Sequence, residues 1–200
     1  MSAMPKQFYT PEEYLKRERM ADYKSEYFSG EIIAMAGAKR KHNLIAGNIF
    51  ALLNILLREA FCEVYTNDMK VQADRARQFS YPDVVVVRGE PQFRDNQDDV
   101  LLNPTVIVEV LSPSTEAFDR GEKFLRYRQN DSLTEYLLIS QYERRIEQFT
   151  KQSDGSWRLT ETSEAEDIRL EAIGCTLSLT DIYNKVVLEP TVRLILDGPR

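Results

Sequence analysis

One carboxylate of this sequence lies where a carboxylate is costly. Glu109 sits within residues 104–111, a run of mostly β-branched residues that predicts a strand buried on both faces. An unpaired ionised side chain in such a strand costs several kcal/mol, on the order of the penalty for any isolated buried charge. A cation, a hydrogen-bonding partner or a metal ion must therefore offset the charge of Glu109.

Two further side chains could share a site with Glu109. Asp83 opens a second apolar run at residues 84–87, and Lys123 follows on a predicted helix. Period-two alternation lets the two carboxylates face each other if their strands are neighbours. Such a pair of hard oxygen ligands suits Mg²⁺ or Mn²⁺, and a nearby lysine can steady a water and the negative charge that develops on phosphorus. These three residues indicate a metal site for phosphodiester hydrolysis.

The order of short motifs along the chain resembles a known family. The motifs are Ser25-Glu-Tyr-Phe-Ser-Gly-Glu-Ile32, Lys41-His42, Pro82-Asp-Val-Val-Val-Val87, Val108-Glu-Val-Leu-Ser-Pro-Ser-Thr115, Asp119 with Lys123, Tyr127 and Glu135-Tyr136. Over about residues 8–185, this set resembles the Uma family of restriction-endonuclease-like proteins, within the PD-(D/E)XK nuclease superfamily. The resemblance implies an α/β fold: a single domain with a restriction-endonuclease-like mixed β-sheet core flanked by helices.

The resemblance also implies roles for individual residues. Asp83 and Glu109 are expected to bind Mg²⁺ or Mn²⁺, Glu26 to contribute a further acid through the hydration shell of the metal, and Lys123 to position the attacking water. One position departs from the superfamily, whose basic pattern has a lysine two residues after the second acid, where this chain has Leu111. The Uma-type arrangement moves the lysine onto the following helix, so the ammonium of Lys123 is expected to return to the same point in space.

Each of these residues also has an ordinary interpretation. Lys123 follows Asp119 by four residues, so the two could form a surface helix pair worth about 0.3–0.5 kcal/mol. Asp83 could be a solvated acid that opens a strand, and Glu109 could be satisfied by an arginine or by tyrosine hydroxyls. His42 could serve as an auxiliary general base or phosphate contact at a helix start, or could be a partly exposed side chain beside basic residues.

Composition limits the class of protein and its partners. The 200 residues, 42% hydrophobic and 29% charged, are typical of one soluble globular domain, and the two cysteines are expected to be inert thiols. A net charge of −6 argues against polyanion binding through the whole surface but leaves room for a local basic groove. Five arginines could line such a groove or be ordinary surface charges: Arg75, Arg77, Arg120, Arg126 and Arg128.

Local patterns predict the elements that must position the site. A helix should begin at Thr10-Pro11 and end near Met20, and Ser29-Gly30 should turn a hairpin. Further helices are expected at about 41–58 and 116–129 and after residue 177, and strands at about 63–66, 70–73, 84–87, 104–111, 135–139 and 145–150. A hairpin turn is expected at 153–156, and a polar, flexible loop at about 89–103. We expect one domain over residues 1–187 and a loosely held tail over 188–200.

The function expected from these observations is that of a Mg²⁺-dependent endonuclease that hydrolyses nucleic acid, with DNA as the expected substrate. Cutting both strands of a duplex calls for a two-fold symmetric enzyme, so a homodimer is expected. No membrane helix or secretory signal is predicted, which favours the cytoplasm. The alternative is a catalytically inactive nuclease-fold protein that binds nucleic acid or another partner.

Overall fold

The structure is a computed structural model, and it describes residues 7–163 and 166–189. The helices are α1 (Pro11–Glu18), α2 (Arg40–Leu56), α3 (Glu116–Phe118), a π-helix (Asp119–Lys123), α4 (Phe124–Tyr127) and α5 (Leu179–Ile182), with 3₁₀ turns at Asp74–Ala76 and Glu171–Ile173. The strands are β1 (Ser25–Phe28), β2 (Glu31–Ala34), β3 (Cys62–Thr66), β4 (Lys70–Ala73), β5 (Gln78–Ser80), β6 (Val84–Arg88), β7 (Val100–Leu101), β8 (Val106–Val110), β9 (Glu135–Ile139), β10 (Arg145–Lys151), β11 (Trp157–Ser163), β12 (Asp167–Leu170) and β13 (Cys175–Ser178).

The strands form two mixed sheets and a separate pair. The larger sheet has the order β11-β10-β9-β8-β6-β3, and the smaller has the order β2-β1-β5-β4-β7. The β8–β9 pair and the β4–β7 pair are parallel, while the other pairs within these two sheets are antiparallel. Strands β12 and β13 pair with each other. The mixed sheets flanked by helices agree with the expected architecture.

The larger sheet is covered on both faces, as its β-branched strands require. On one face lies the apolar side of α2, with Ile45, Ile49 and Leu53 each at most 1% exposed. The opposite face packs against α4 through Phe124 and Tyr127. Because alternate residues of β6 and β8 belong to different clusters, both strands are buried on both sides, which makes any charge on them costly.

The two long predicted helices begin in different ways. Thr10 and Glu13 cap α1 reciprocally, with a Thr10 N–H to Glu13 Oε2 distance of 2.7 Å and a Glu13 N–H to Thr10 Oγ1 distance of 3.2 Å. Helix α2 begins after Lys39, which makes no side-chain cap, and its first turn contains no acidic residue. Helix α2 thus lacks the acids that usually complement the positive end of a helix dipole.

Several predicted elements were confirmed and several were missed. The first hairpin turns at Ser29 and Gly30, both with positive φ, as expected from that dipeptide. The predicted loop at 89–103 contains the short strand β7, so the prediction was wrong there. The strand was missed because two residues are too few to show a periodic pattern. Strands β5, β12 and β13 were also missed.

Strands β3 and β4, which follow one another around a short turn, belong to different sheets and do not form a hairpin. Residues 190–200 of the predicted tail lie outside the described residues, and the domain boundary at 187 stays a prediction. Within residues 7–163 and 166–189, no helix combines the length and apolar character needed to cross a membrane.

Candidate active site

Neighbouring strands bring the two predicted metal ligands together. Val84 of β6 pairs with Val108 of β8 in the antiparallel register, so one step further along the strands Asp83 lies opposite Glu109. The side chain of Asp83 is 12% exposed and that of Glu109 is 5% exposed. The two strands are neighbours, which was the condition for the carboxylates to face each other. The interpretation of Asp83 as an ordinary solvated acid is wrong.

Lys123 lies at the centre of a buried acidic cluster. Its Nζ is 2.8 Å from Glu109 Oε1, 3.4 Å from Glu26 Oε1 and 3.4 Å from Asp119 Oδ1. The lysine side chain is only 6% exposed, so the interpretation of Lys123 and Asp119 as a surface helix pair is wrong. The interpretation of Glu109 as the partner of an arginine is wrong as well, because a lysine holds it.

A π-helix carries both Asp119 and Lys123. We expected one continuous α-helix at 116–129, but residues 119–123 form a π-helix between α3 and α4. Asp119 and Lys123 are buried, whereas Gly121 and Glu122 are exposed. Single π-turns inside α-helices recur at functional sites, and this one places two ionisable side chains in the same cluster. The sequence analysis included Asp119 in a motif but did not place it in the site.

Burial and mutual attraction both act on the pKa values of this pair. Burial raises the pKa of the Glu109 carboxyl well above its ordinary value, although the Lys123 ammonium acts in the opposite direction. Burial alone would lower the pKa of Lys123, but the charges of Glu109 and Glu26 outweigh it and hold that pKa above its ordinary value. Lys123 is therefore a cation across the physiological pH range.

Asp83 is held by a backbone amide and by His42. The Val110 N–H donates to Asp83 Oδ2 at 2.7 Å, and His42 Nε2 lies 3.1 Å from the same oxygen. Burial lowers the pKa of His42, but its hydrogen bond and attraction to Asp83 outweigh burial, so the pKa is raised. The structure thus brings His42 to the site, as one of its two interpretations required, and its auxiliary role stays a prediction.

A second buried carboxylate, Glu18, ties together the segments that deliver Glu26 and Asp83. Glu18 accepts from the Ser25 N–H at 2.9 Å, from the Ser25 hydroxyl, and from the Tyr81 hydroxyl at 2.8 Å. The Tyr81 N–H in turn donates to Glu26 Oε1 at 3.1 Å. Glu18 was missed because nothing near it in the sequence marks it apart from the other acids of α1.

The assembled site has the charge and the donor atoms that fit a divalent cation. Four carboxylates, those of Glu26, Asp83, Glu109 and Asp119, surround one ammonium and one imidazole. Carboxylate oxygens are the ligands that Mg²⁺ and Mn²⁺ prefer, and one Lys123 charge does not balance four acids. Among the described residues, no group of three or more histidine, cysteine or acidic side chains converges on a single ion position. The described side chains therefore fit a divalent cation by their charge and donor atoms, and not by a preformed set of three ligands.

Two of the five arginines considered for a phosphate groove are committed to acids. Arg120 pairs with Glu116 and Glu147, and Arg126 pairs with Glu122, so both belong to local ion pairs. The other three are exposed, namely Arg75, Arg77 and Arg128. For these three, a contact with nucleic acid stays a prediction.

Comparisons with known proteins agree with this architecture. The Uma2 family, described as "Putative restriction endonuclease", matches residues 11–180. Two relatives from Synechocystis sp. are both named uncharacterized proteins. One is 42% identical over 76% of this chain and 86% of its own length, and the other is 36% identical over 87% and 90%.

A solved structure confirms the predicted fold. A crystal structure from Anabaena variabilis, described as "a putative nuclease belonging to DUF820", superposes with a TM-score of 0.74 and 18% identity, covering 90% of this chain and 99% of that one. At this identity the likeness concerns the fold alone, and the family follows from the match over residues 11–180. The chain belongs to the Uma2 family of restriction-endonuclease-like proteins.

Proposed function

We propose that this protein is a divalent-metal-dependent nuclease that hydrolyses phosphodiester bonds, with DNA as the substrate. One observation carries the proposal: the Lys123 ammonium lies 2.8 Å from Glu109, which stands opposite Asp83 on the adjacent strand. Two carboxylates on neighbouring strands with a lysine beside them supply metal ligands and a fixed positive charge in one place. The family to which the chain belongs supports the same activity.

Asp83 and Glu109 are the residues that would hold Mg²⁺ or Mn²⁺, and Glu26 would interact through the hydration shell. When bound, such an ion polarises a phosphoryl oxygen and lowers the pKa of water. The Asp83 carboxylate is itself held through Oδ2, which accepts from the Val110 N–H and lies 3.1 Å from His42 Nε2.

The protein's own residues have distinct tasks in this proposal. Lys123 would stabilise the negative charge that develops on the phosphoryl oxygens, and its contacts with Glu109 and Glu26 hold the ammonium in position. His42 would orient the Asp83 carboxylate through the 3.1 Å contact. The burial of these groups strengthens each electrostatic interaction because water screens them poorly there.

The start of α2 supports an anionic substrate. This helix begins beside His42 with Lys39, Arg40 and Lys41 and without an acid in its first turn. An uncapped helix start with basic side chains favours phosphate groups, and it is the opposite of the acid-capped start of α1. A nucleic acid backbone at this end of α2 would lie next to the carboxylates.

Calorimetry with Mn²⁺ tests the proposed site directly. We expect one Mn²⁺ ion to bind wild type and the affinity to fall at least about tenfold in Asp83→Ala and in Glu109→Gln, since each removes an anionic ligand. Glu135→Gln is the matched control, because Glu135 is a buried glutamate of the neighbouring strand β9 and contacts neither acid. A wild type that binds no Mn²⁺, or that binds equally well after Asp83→Ala, would contradict the proposal.

A second candidate function is that of a nuclease-fold protein that binds nucleic acid or a partner without turnover. Two observations favour it: the Lys123 charge is already engaged by three carboxylates, and no three ligands converge among the described residues. In this case Mn²⁺ would not bind, while labelled DNA would. A cleavage assay with Mn²⁺, run on wild type and on Asp83→Ala, separates the two functions.

We also propose that the protein acts as a homodimer in the cytoplasm. Strand β3 ends the larger sheet, and near it lie the exposed apolar side chains of Ile55 and Phe61, which are 65% and 72% exposed. Exposed apolar side chains beside a strand at the edge of a sheet are suited to pairing with a second copy. Sedimentation equilibrium should give a dimer mass for wild type, and a monomer across the micromolar range would contradict this part of the proposal.

A further inference from the structure

A groove runs from the proposed site along the side of α2. It has a volume of about 180 Å³ and lies between α2 and the end of β3 with the turn that follows it. Asp83 and His42 form its inner end, so the groove is continuous with the acidic cluster. Its volume is smaller than the roughly 300–1,000 Å³ of pockets that hold drug-sized ligands. A single ring system is the largest group that matches it.

The two walls of the groove differ in chemistry. Beyond Asn43, the α2 wall is apolar, with Ala46, Gly47 and Phe50, whereas Thr66 and Asn67 supply a hydroxyl and an amide on the opposite wall. The lining away from Asp83 and His42 carries no charged residue. A site for a phosphate group would be expected to contain cationic side chains, which are absent from this lining. A site for a hydrocarbon chain would not need the amide of Asn67. A planar ring with an apolar face and a hydrogen-bonding edge matches both walls.

Gly47 keeps the α2 wall of the groove open. A glycine within a helix costs about 1 kcal/mol relative to alanine. A Cβ added at Gly47 would meet no atom within 4 Å outside the helix's own backbone, and the residue is exposed, so packing does not call for glycine here. The visible consequence of having no side chain at this position is an open groove wall between Ala46 and Phe50.

We propose that this groove is a subsite for one nucleobase of the nucleic acid strand, beside the phosphodiester bond that lies at Asp83. This inference rests on the proposed function and names a structural feature of its substrate. A base held between Gly47 and Asn67 places the adjoining backbone at the inner end of the groove. The subsite calls for an unstacked base, which a single strand or an opened duplex offers.

The test uses Gly47→Leu, which fills the groove from its apolar wall. The probe is a labelled single-stranded DNA, together with a series in which one base is removed at successive positions, and binding is measured by anisotropy in EDTA so that metal-dependent cleavage does not occur. We expect wild type to lose about tenfold in affinity when one particular base is missing, as for other base–aromatic contacts. Gly47→Leu should bind the intact DNA about tenfold more weakly than wild type does. It should also bind the intact DNA and the DNA lacking that base with equal affinity.

Ala51→Leu is the matched control, because it adds the same side chain to α2 one turn further on, at an exposed position outside the groove. It should bind DNA as wild type does. Gly47→Leu should unfold at or above the wild-type temperature, because leucine is a better helix former than glycine, and Ala51→Leu should unfold close to it, because leucine ranks just below alanine. Thermal unfolding of both variants then excludes misfolding as the cause.

The outcomes separate this inference from the proposed function. If Gly47→Leu binds DNA as well as Ala51→Leu does, or if no missing base weakens wild-type binding, the subsite is disproved even where Mn²⁺ binds at Asp83. If wild type binds no Mn²⁺ but the pattern with missing bases appears, the subsite stands and the metal-dependent function fails. We expect Mn²⁺ affinity to be unchanged in Gly47→Leu.

Discussion

Two glutamates lie buried in adjacent parallel strands and are stabilised in different ways. Glu109 of β8 is 4% exposed and lies 2.8 Å from an ammonium, whereas Glu135 of β9 is fully buried and forms no ion pair within the part of the chain that the structure describes. Glu135 accepts instead from the Gln148 amide at 3.3 Å and from the Glu171 N–H at 3.0 Å. A buried acid in a strand is thus not by itself a sign of a cation site.

Burial raises the pKa of both carboxyl groups, and the groups that oppose this shift differ. Burial raises the pKa of Glu135 to about 7, and the backbone N–H groups of Glu171 and Ala172 lower it only in part. Burial raises the pKa of Glu109 too, but Lys123 opposes this and keeps a compensating charge within contact. Neutral hydrogen-bond donors can therefore stabilise a carboxyl group that is partly protonated, as at Glu135. An ion pair is suited to a carboxylate whose proposed role requires the negative charge, as at Glu109.

The largest effect is expected for Lys123→Met. Removing one partner of a buried ion pair costs about 3–5 kcal/mol, because the acids are left uncompensated. The loss in free energy of unfolding should be larger at pH 8 than at pH 5, since the remaining carboxylates can take up protons in the folded state at the lower pH. Urea unfolding at both pH values measures this, and an equal loss at the two would show that Lys123 does not compensate buried charge.

A smaller effect, with a distinct pH dependence, is expected for Glu135→Gln. The folded-state pKa of Glu135 is raised to about 7 from 4.5, so its stabilising contribution is complete below pH 4.5 and is lost as the pH rises through 7. The loss for wild type across this window is on the order of 2–3 kcal/mol. Glutamine cannot ionise, so Glu135→Gln should become more stable relative to wild type as the pH rises.

Urea unfolding of both proteins between pH 5 and pH 8 gives the difference directly. Glu109→Gln is the comparison, since it should destabilise the protein by leaving Lys123 without its nearest carboxylate. A constant difference between Glu135→Gln and wild type over this range would contradict the assignment of a raised pKa to Glu135.

The smallest effect is expected for Glu171→Gln. The Glu171 side chain pairs with Arg169 at 2.8 Å, but the two side chains are 68% and 61% exposed, and exposed pairs contribute about 0–1 kcal/mol. The Glu171 N–H that holds Glu135 is unchanged by this substitution. Thermal unfolding should therefore match wild type closely, and a large loss would mean that the side chain, and not the backbone, supports Glu135.

Local patterns in the sequence were sufficient for most elements and for part of the site. The Thr10 cap, the Ser29-Gly30 turn and the helical periodicity of α2 each depend on residues close together in the chain, and these predictions were confirmed. Asp83 and Glu109 could be paired because Asp83 opens one strong strand pattern and Glu109 lies within another. The family was predicted from ordered motifs and was confirmed by the match over residues 11–180.

What the sequence by itself determined were the elements whose signals are local: caps, turns and periodic apolar faces. Only the tertiary structure decided that Asp119 joins Glu109 around Lys123, that Glu18 links two site segments, and that Glu135 needs no cation. The physical reason is that a buried acid has the same desolvation cost wherever it lies, while its partner comes from a distant part of the chain. The order of strands in the sheet and the packing of the helices determine which residue becomes that partner, so residue spacing in the sequence does not predict it.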